Sequence, residues 1–143
     1  MYLLDTNVVS ELRKVKSGRA DPYVAQWAAG VQTSQLYLSV ITVQELELGI
    51  LLRERRDAVQ GQILRVWFEE QVLPAFAGRL LPVTVAVARQ CAAVNVAETK
   101  PERDGLIAAT ALVQRLTVVT RNTRDFQGTG VALLNPWQGD SDS

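Results

Sequence analysis

Short apolar runs alternate along the chain with longer segments whose apolar residues recur at helical spacing. The runs at 2–4, 36–40, 79–82, 116–120 and 131–134 have the length and the aliphatic content of buried strands. Strands that alternate with helices pair in parallel and are covered by those helices. The pattern therefore predicts an α/β fold with a five-stranded parallel sheet flanked by helices.

The helical segments are marked by capping residues and by breaks. Asp21-Pro22 has the signature of a helix start, and Gly78 that of a helix end. Thr42 and Glu45 have the spacing of a capping box, which predicts a helix that starts at Thr42. The predicted helices cover residues 6–15, 22–29, 42–51, 58–77, 85–97 and 104–113.

The composition favours one domain in a reducing compartment. A chain of 143 residues with 48% hydrophobic residues predicts a single domain, here assigned to residues 1–138, with a flexible tail at 139–143. No apolar run approaches the ~20 residues that span a bilayer, so no membrane association is expected. The start of the chain lacks the pattern of a secretory signal, and Cys91 is the only cysteine. We expect a cytoplasmic protein.

The chain contains no histidine, and this excludes several kinds of chemistry. Histidine acid–base catalysis, Ser-His-Asp triads and histidine-bound zinc are all ruled out. A metal site would have to be built from oxygen ligands, which select hard cations such as Mg²⁺ or Mn²⁺. Equal numbers of acidic and basic residues, 15 of each, give no bulk attraction to nucleic acid.

Acidic residues and one asparagine lie after or near several of the predicted strand ends. Asp5 follows the first strand, Glu45 the second, and Asn122 and Asp125 the fourth, while Asp104 opens the helix before the fourth strand. The carboxyl ends of parallel strands meet at one edge of a sheet, where ligands bind. Two carboxylates ~5 Å apart repel by ~3 kcal/mol at an effective dielectric near 20. No histidine or lysine motif offers neutralisation, so a divalent cation is the simplest answer.

Each of these residues also has a purely local explanation. Asp5 and Asp104 are suitable helix caps, Glu45 is suitable as the partner in a capping box, and Asp125 is a common turn residue. Each local explanation is sufficient for its own residue. Together they leave the convergence of the acids at one sheet edge unexplained.

Several motifs in order resemble the PIN-domain ribonucleases, most closely the VapC-type toxins of the FitB-like branch. They are Leu4-Asp5-Thr6-Asn7, Thr42 with Glu45-Leu46, Asp104-Gly105-Leu106-Ile107-Ala108-Ala109, Thr120-Arg121-Asn122 with Asp125-Phe126, and Leu134-Asn135-Pro136-Trp137. The resemblance covers essentially the whole chain. It implies a PIN-like three-layer sandwich and Mg²⁺-dependent cleavage of RNA, with Mn²⁺ as a possible substitute. It also implies a cognate antitoxin and a homodimer.

The resemblance assigns roles residue by residue. Asp5, Glu45 and Asp104 match the three core acids and would bind the metal, whereas the fourth position falls to Asn122 or Asp125. Asn122 lacks the charge that many relatives carry there, which makes a strong second metal site doubtful. Supporting contacts to the carboxylates are assigned to Thr6, Asn7 and Thr120, and RNA phosphate contacts to Arg13, Lys14, Lys16 and Arg121.

Two other functions remain open at this stage. Asp5 could accept a phosphoryl group, as in phosphatases or receiver domains, although no second aspartate lies two residues on and no suitable lysine follows the fourth strand. The chain could also be a catalytically weakened PIN-like domain that binds protein or RNA partners. Asn122 is the residue that permits this second alternative.

Overall fold

Five short parallel strands form one sheet in the computed structural model, which describes residues 1–138. The strands are β1 (Tyr2–Leu4), β2 (Leu36–Ser39), β3 (Leu80–Leu81), β4 (Thr117–Val119) and β5 (Leu133–Leu134). Their order across the sheet is β3-β2-β1-β4-β5, and every pair is parallel. The predicted sheet is thus confirmed, while the predicted flexible tail, residues 139–143, lies outside the described residues.

Helices occupy the connections between the strands. They are α1 (Thr6–Leu12), α2 (Pro22–Ala29), α3 (Val40–Arg56), α4 (Ala58–Trp67), α5 (Leu73–Ala75), α6 (Val85–Val94) and α7 (Glu102–Gln114). Single 3₁₀ turns cover Thr33–Gln35, Thr123–Phe126 and Pro136–Gln138. No helix of the described residues is long and apolar enough to cross a membrane.

Alternate residues of the strands pack into two separate core layers. Leu4 and Val119 belong to one cluster with residues of α1 and α3, whereas Leu3 and Val118 belong to another with Ile107 of α7. Successive side chains of a strand point to opposite faces of its sheet, and both faces are covered here. The result is the expected three-layer arrangement with the sheet in the middle.

One helix predicted as continuous is interrupted. The predicted helix at 58–77 is instead α4, a π-helical segment at Phe68–Val72, and the short α5. Pro74 has no N–H to donate to the carbonyl four residues earlier, so it interrupts the regular helical hydrogen bonds. The π-helical segment, whose turn is wider than that of an α-helix, lies directly before α5. It also buries Phe68 and Val72, which belong to the core cluster that contains Leu4.

The predicted helix starts near two of the candidate acids were wrong. Helix α3 begins at Val40, because the Ser39 side chain accepts a hydrogen bond from the backbone N–H of Ile41 at 3.0 Å. Thr42 and Glu45 therefore lie inside the helix and form no capping box. Helix α7 begins at Glu102 after Pro101, which places Asp104 in its first turn and not at the cap.

Two helices end three residues earlier than predicted. Helix α1 ends at Leu12 and not at residue 15, and α6 ends at Val94 and not at residue 97. After α1, the backbone N–H groups of Lys14 and Val15 bond to carbonyls three residues earlier, so the chain tightens into turns. Helix ends commonly tighten in this way, and apolar spacing alone does not locate them.

Candidate active site

Asp5 lies at the carboxyl end of the central strand and is held at both carboxylate oxygens. It caps α1, accepting the Thr6 backbone N–H on Oδ1 at 2.8 Å, and Oδ2 accepts the Thr120 hydroxyl at 2.8 Å. Its backbone N–H continues the sheet to the carbonyl of Val119. The residue is only 9% exposed, so the carboxylate is fixed in one orientation at the sheet edge.

Thr120 connects Asp5 to the loop that follows β4. Its buried hydroxyl oxygen accepts the backbone N–H of Asn122 at 3.0 Å and lies 3.4 Å from the donating amide nitrogen of Asn7. The side-chain oxygen Oδ1 of Asn7 in turn accepts the backbone N–H of Arg121 at 3.3 Å. The structure thus brings together Asn7 and Thr120 next to Asp5, where they fix the position of its carboxylate.

Glu45 reaches the same edge from α3 and is bound by two other side chains. The Thr6 hydroxyl donates to Oε1 at 2.7 Å, and Nη1 of Arg103 lies 2.6 Å from Oε2. Arg103 was not predicted from the sequence as a site residue, because the predicted partners of the acids included only histidine and lysine motifs. Its position directly before Asp104 was the available signal. An arginine, which is neither a histidine nor a lysine, thus supplies positive charge beside Glu45.

The pKa of Asp104 depends on its burial and on the charges around it. Burial raises the pKa of its carboxyl above the ordinary value, the negative charge of Asp125 raises it further, and Asp5 and Glu45 add smaller increases that Arg103 opposes. Asp5 directly follows β1, Glu45 lies in α3 after β2, Asp104 lies in the first turn of α7, and Asp125 lies in the turn after β4. The pair of Arg103 and Glu45 brings the start of α7 next to α3. We call this region, at the carboxyl edge of the sheet, the acidic pocket.

The loop after β4 contributes the remaining candidates for the fourth position. Asp125 is exposed on the 3₁₀ turn that the buried Phe126 anchors, and its charge acts on Asp104. Asn122 is also exposed, and its backbone N–H binds Thr120. Both residues thus border the pocket, with Asp125 as the charged member of the pair.

The donor chemistry of the pocket fits a hard divalent cation. Its ligands are carboxylate oxygens, which Mg²⁺ and Mn²⁺ prefer. Asp5, Asp104 and Glu45 are the residues that would hold the ion. Among residues 1–138, no three acidic side chains already lie close enough together to form a ligand cluster. Glu45 is turned toward Arg103, so cation binding requires this carboxylate to change partner.

Of the four predicted RNA contacts, Arg121 lies next to the acidic pocket. It directly follows Thr120, and its guanidinium carbon is 5.2 Å from the Trp137 ring centroid. Arg13 packs over Trp67 at 6.0 Å and borders a separate groove with Lys16, while Lys14 pairs with Glu11 at 3.2 Å. The lysine–arginine cluster is therefore on a different part of the surface, about 12 Å along α1 from Asp5.

Comparison with known proteins identifies the fold and the family. Residues 2–131 match the family model described as the PIN domain. The chain is 41% identical over 143 residues to Toxin FitB of Neisseria gonorrhoeae, with 96% of this chain and 99% of that protein covered. It is 39% identical over 147 residues to VapC ribonuclease Y4jK of Sinorhizobium fredii, with the same coverage.

A solved structure agrees over the same length. The crystal structure of FitAcB from Neisseria gonorrhoeae contains a chain that superimposes with a TM-score of 0.87 at 38% identity, covering 96% of this chain and 99% of that one. The match thus extends over nearly the whole length of both chains. On these grounds the chain belongs to the PIN-domain family.

Proposed function

We propose that the protein is a Mg²⁺- or Mn²⁺-dependent endoribonuclease that acts as the toxin of a toxin–antitoxin pair. The observation that carries the proposal is the acidic pocket. Thr6 joins two of the acids, because its backbone N–H binds Asp5 and its hydroxyl binds Glu45, and Arg103 joins Glu45 to the start of α7 beside Asp104. Burial raises the pKa of Asp104, and the negative charges of Asp125, Asp5 and Glu45 raise it further. The similar proteins named a toxin and a VapC ribonuclease support the choice of RNA as substrate.

The protein's own residues would prepare the site for hydrolysis. Thr120 and Thr6 hold the carboxylates of Asp5 and Glu45, and Asp104 completes the ligand set. A divalent cation held by these carboxylates would supply Lewis acidity toward a water molecule and toward the phosphate. The side chain of Asn122 or Asp125 would orient the attacking water, and Arg121 would contact the RNA backbone.

The products should carry a 3′-hydroxyl and a 5′-phosphate. The chain has no histidine to deprotonate the ribose 2′-hydroxyl. Water is then the nucleophile, and the ribose is left unchanged. Analysis of the product ends tests this step, since a 2′,3′-cyclic phosphate would show that the 2′-hydroxyl attacks.

The contacts of Asp5 suit a metal ligand. Each carboxylate oxygen accepts one hydrogen bond and keeps a further lone pair for a cation, and the residue is nearly buried. A fixed carboxylate that accepts hydrogen bonds is typical of a metal ligand with supporting contacts. Trapping of an acyl phosphate on Asp5 would favour phosphoryl transfer to this residue over hydrolysis by water.

We also propose that an antitoxin covers the acidic pocket and that the nuclease forms a homodimer. A groove on the α1 and α4 side is lined by the exposed Ile63 and Val66 together with Trp67, and it suits the apolar face of a partner helix. An antitoxin arginine that reaches the carboxylates would complement their charge. Light scattering on the isolated protein and on its antitoxin complex tests the stoichiometry.

Cleavage of structured RNA by wild type and by Asp5→Asn tests the proposed function directly. With Mg²⁺ or Mn²⁺ we expect cleavage by the wild type, loss of cleavage in EDTA, and a rate lower by about 100-fold or more in the variant. Asp57→Asn is the matched control, because Asp57 only caps α4 and asparagine caps equally well. Equal cleavage by wild type and Asp5→Asn would contradict the assignment, and binding without cleavage would favour the binding-module alternative.

A further inference from the structure

Arg103 binds one of the candidate metal ligands from an exposed position. Its side chain is 58% exposed, whereas that of Glu45 is 18% exposed, and their charged atoms are 2.6 Å apart. Arg103 lies in the first turn of α7, next to Asp104. The arginine therefore extends from the rim of the pocket inward to the carboxylate.

The two oxygens of Glu45 have different partners. Oε1 accepts the hydroxyl of Thr6, which belongs to the helix that Asp5 caps, and Oε2 pairs with Arg103. A divalent cation at Glu45 would compete with Arg103 for Oε2 and would also repel its guanidinium. Because the Arg103 side of this ion pair is exposed to water, the pair is weak and the exchange costs little.

A displaced Arg103 would remain at the mouth of the pocket. Its long side chain is anchored on the rigid α7, and its guanidinium has the planar pair of donors that matches two phosphate oxygens. Pocket residues Gln44, Glu45, Glu102 and Arg103 line a common cleft of about 430 Å³ between α3 and α7. Of these four, Arg103 is the one with a charge that attracts a nucleic acid backbone.

We propose that Arg103 is an exchangeable counter-ion of the active site. It pairs with Glu45 when no divalent cation is bound, and it transfers to a phosphate of the RNA when the cation takes that carboxylate. This inference rests on the proposed ribonuclease function and names a residue that binds the substrate. Arg103 thus links metal binding to RNA binding, because it contacts Glu45 in one state and the substrate in the other.

Mn²⁺ binding to the protein alone, followed by electron paramagnetic resonance, tests the first half of the exchange. Arg103→Gln should bind Mn²⁺ about two- to fivefold more tightly than wild type, which corresponds to the loss of an exposed ion pair. Arg103→Lys should restore most of the wild-type affinity. Arg89→Gln, which removes an exposed arginine from α6, is the matched control and should leave the affinity unchanged.

A double-variant cycle separates exchange at Glu45 from a general effect of charge. In the Glu45→Gln background Arg103 has no carboxylate to release, so Arg103→Gln should no longer tighten Mn²⁺ binding. The same tightening in both backgrounds would overturn the proposal, as would unchanged affinity of Arg103→Gln in the wild-type background. Thermal unfolding of each variant verifies that the fold is retained.

RNA cleavage at saturating Mn²⁺ tests the second half. Arg103→Gln should raise KM severalfold and change kcat by less than about twofold, since it removes a contact that is made before and during the reaction. The salt dependence of RNA binding should weaken by about one phosphate contact. An unchanged KM would overturn the transfer to phosphate. Because the Mn²⁺ measurement needs no RNA, failure of the wild type to cleave RNA would refute the proposed function without deciding the exchange.

Discussion

At the residue scale, Asp104 links the electrostatics of the pocket to stability. Its raised pKa means that the folded protein binds this proton more tightly than the unfolded chain does. The charged form of Asp104 therefore lowers the free energy of unfolding at neutral pH. This destabilisation decreases as the pH falls through the raised pKa of the folded protein, and it is absent below the pKa of the unfolded chain. In EDTA at neutral pH, Asp104→Asn should raise Tm by at most about 2 °C, because Asp104 is only partly buried and water screens the repulsion.

Thermal unfolding of wild type and Asp104→Asn over a pH series measures this effect. The difference in Tm should be largest near pH 7 and should shrink on acidification, because the wild type then becomes neutral at the same position. Lower stability of Asp104→Asn at neutral pH would contradict this prediction. It would mean that contacts of the carboxylate outweigh its burial and its repulsion by Asp125, Asp5 and Glu45.

Thr42 is a second buried polar residue that affects stability. Its side chain is fully buried in α3, and its hydroxyl has no hydrogen-bond partner among the described residues. Thr42→Val keeps the shape and removes the unpaired group, so it should stabilise the protein by up to ~1 kcal/mol.

The equally buried Thr110 of α7 is the matched control for Thr42. Its hydroxyl donates to the carbonyl of Leu106 at 2.8 Å, so Thr110→Val should destabilise by about 1 kcal/mol. Urea unfolding of the two variants compares the two effects. Equal losses of stability would show that the Thr42 hydroxyl does have a partner.

At the element scale, α3 and α4 approach so closely that one position between them excludes a side chain. A Cβ added to Gly61 would lie 2.6 Å from Cα of Glu54, and backbone atoms cannot move aside as a flexible side chain can. Arg65 joins the same two helices by pairing with Glu47 at 2.7 Å and Glu54 at 3.2 Å. Gly61→Ala should therefore destabilise the protein by about 1–3 kcal/mol.

Gly49 is a matched control because it is also a helical glycine. A Cβ at Gly49 meets nothing within 4 Å, so Gly49→Ala should stabilise the protein by up to about 1 kcal/mol through helix propensity. Chemical denaturation of both variants gives the comparison. Similar stability changes for the two substitutions would show that α4 can move away from α3 without loss.

The elements also show which part of the fold the sequence predicts. Apolar runs locate the strands because burial on both faces of a parallel sheet requires them. The start of α3 was misplaced because Ser39 and Thr42 are both good capping residues, and only the end of β2 decides in favour of Ser39. The π-helical winding before Pro74 depends on how Phe68 and Val72 reach the core, which periodicity does not encode.

At the scale of the whole molecule, the sequence predicts the acids of the pocket better than their partners. Asp5 and Glu45 follow strands, so their meeting follows from parallel pairing alone. The pairing of Arg103 with Glu45 depends on how α7 packs beside α3, and no local pattern contains that information. Arg13 and Arg121 likewise look equivalent in sequence but lie on different parts of the surface.

This separation of the two arginines predicts where the RNA lies. Arg121 adjoins Thr120 and Asp5, so RNA whose phosphate is in the acidic pocket should contact it, while Arg13 packs on Trp67 farther along α1. Arg121→Gln should weaken RNA binding and lower the slope of log affinity against log salt by about one, whereas Arg13→Gln should change neither. Fluorescence anisotropy with a labelled RNA over a salt series measures both quantities. A larger effect of Arg13→Gln would place the RNA along the groove beside Trp67, and the antitoxin would then have to compete with RNA on that surface as well as in the pocket.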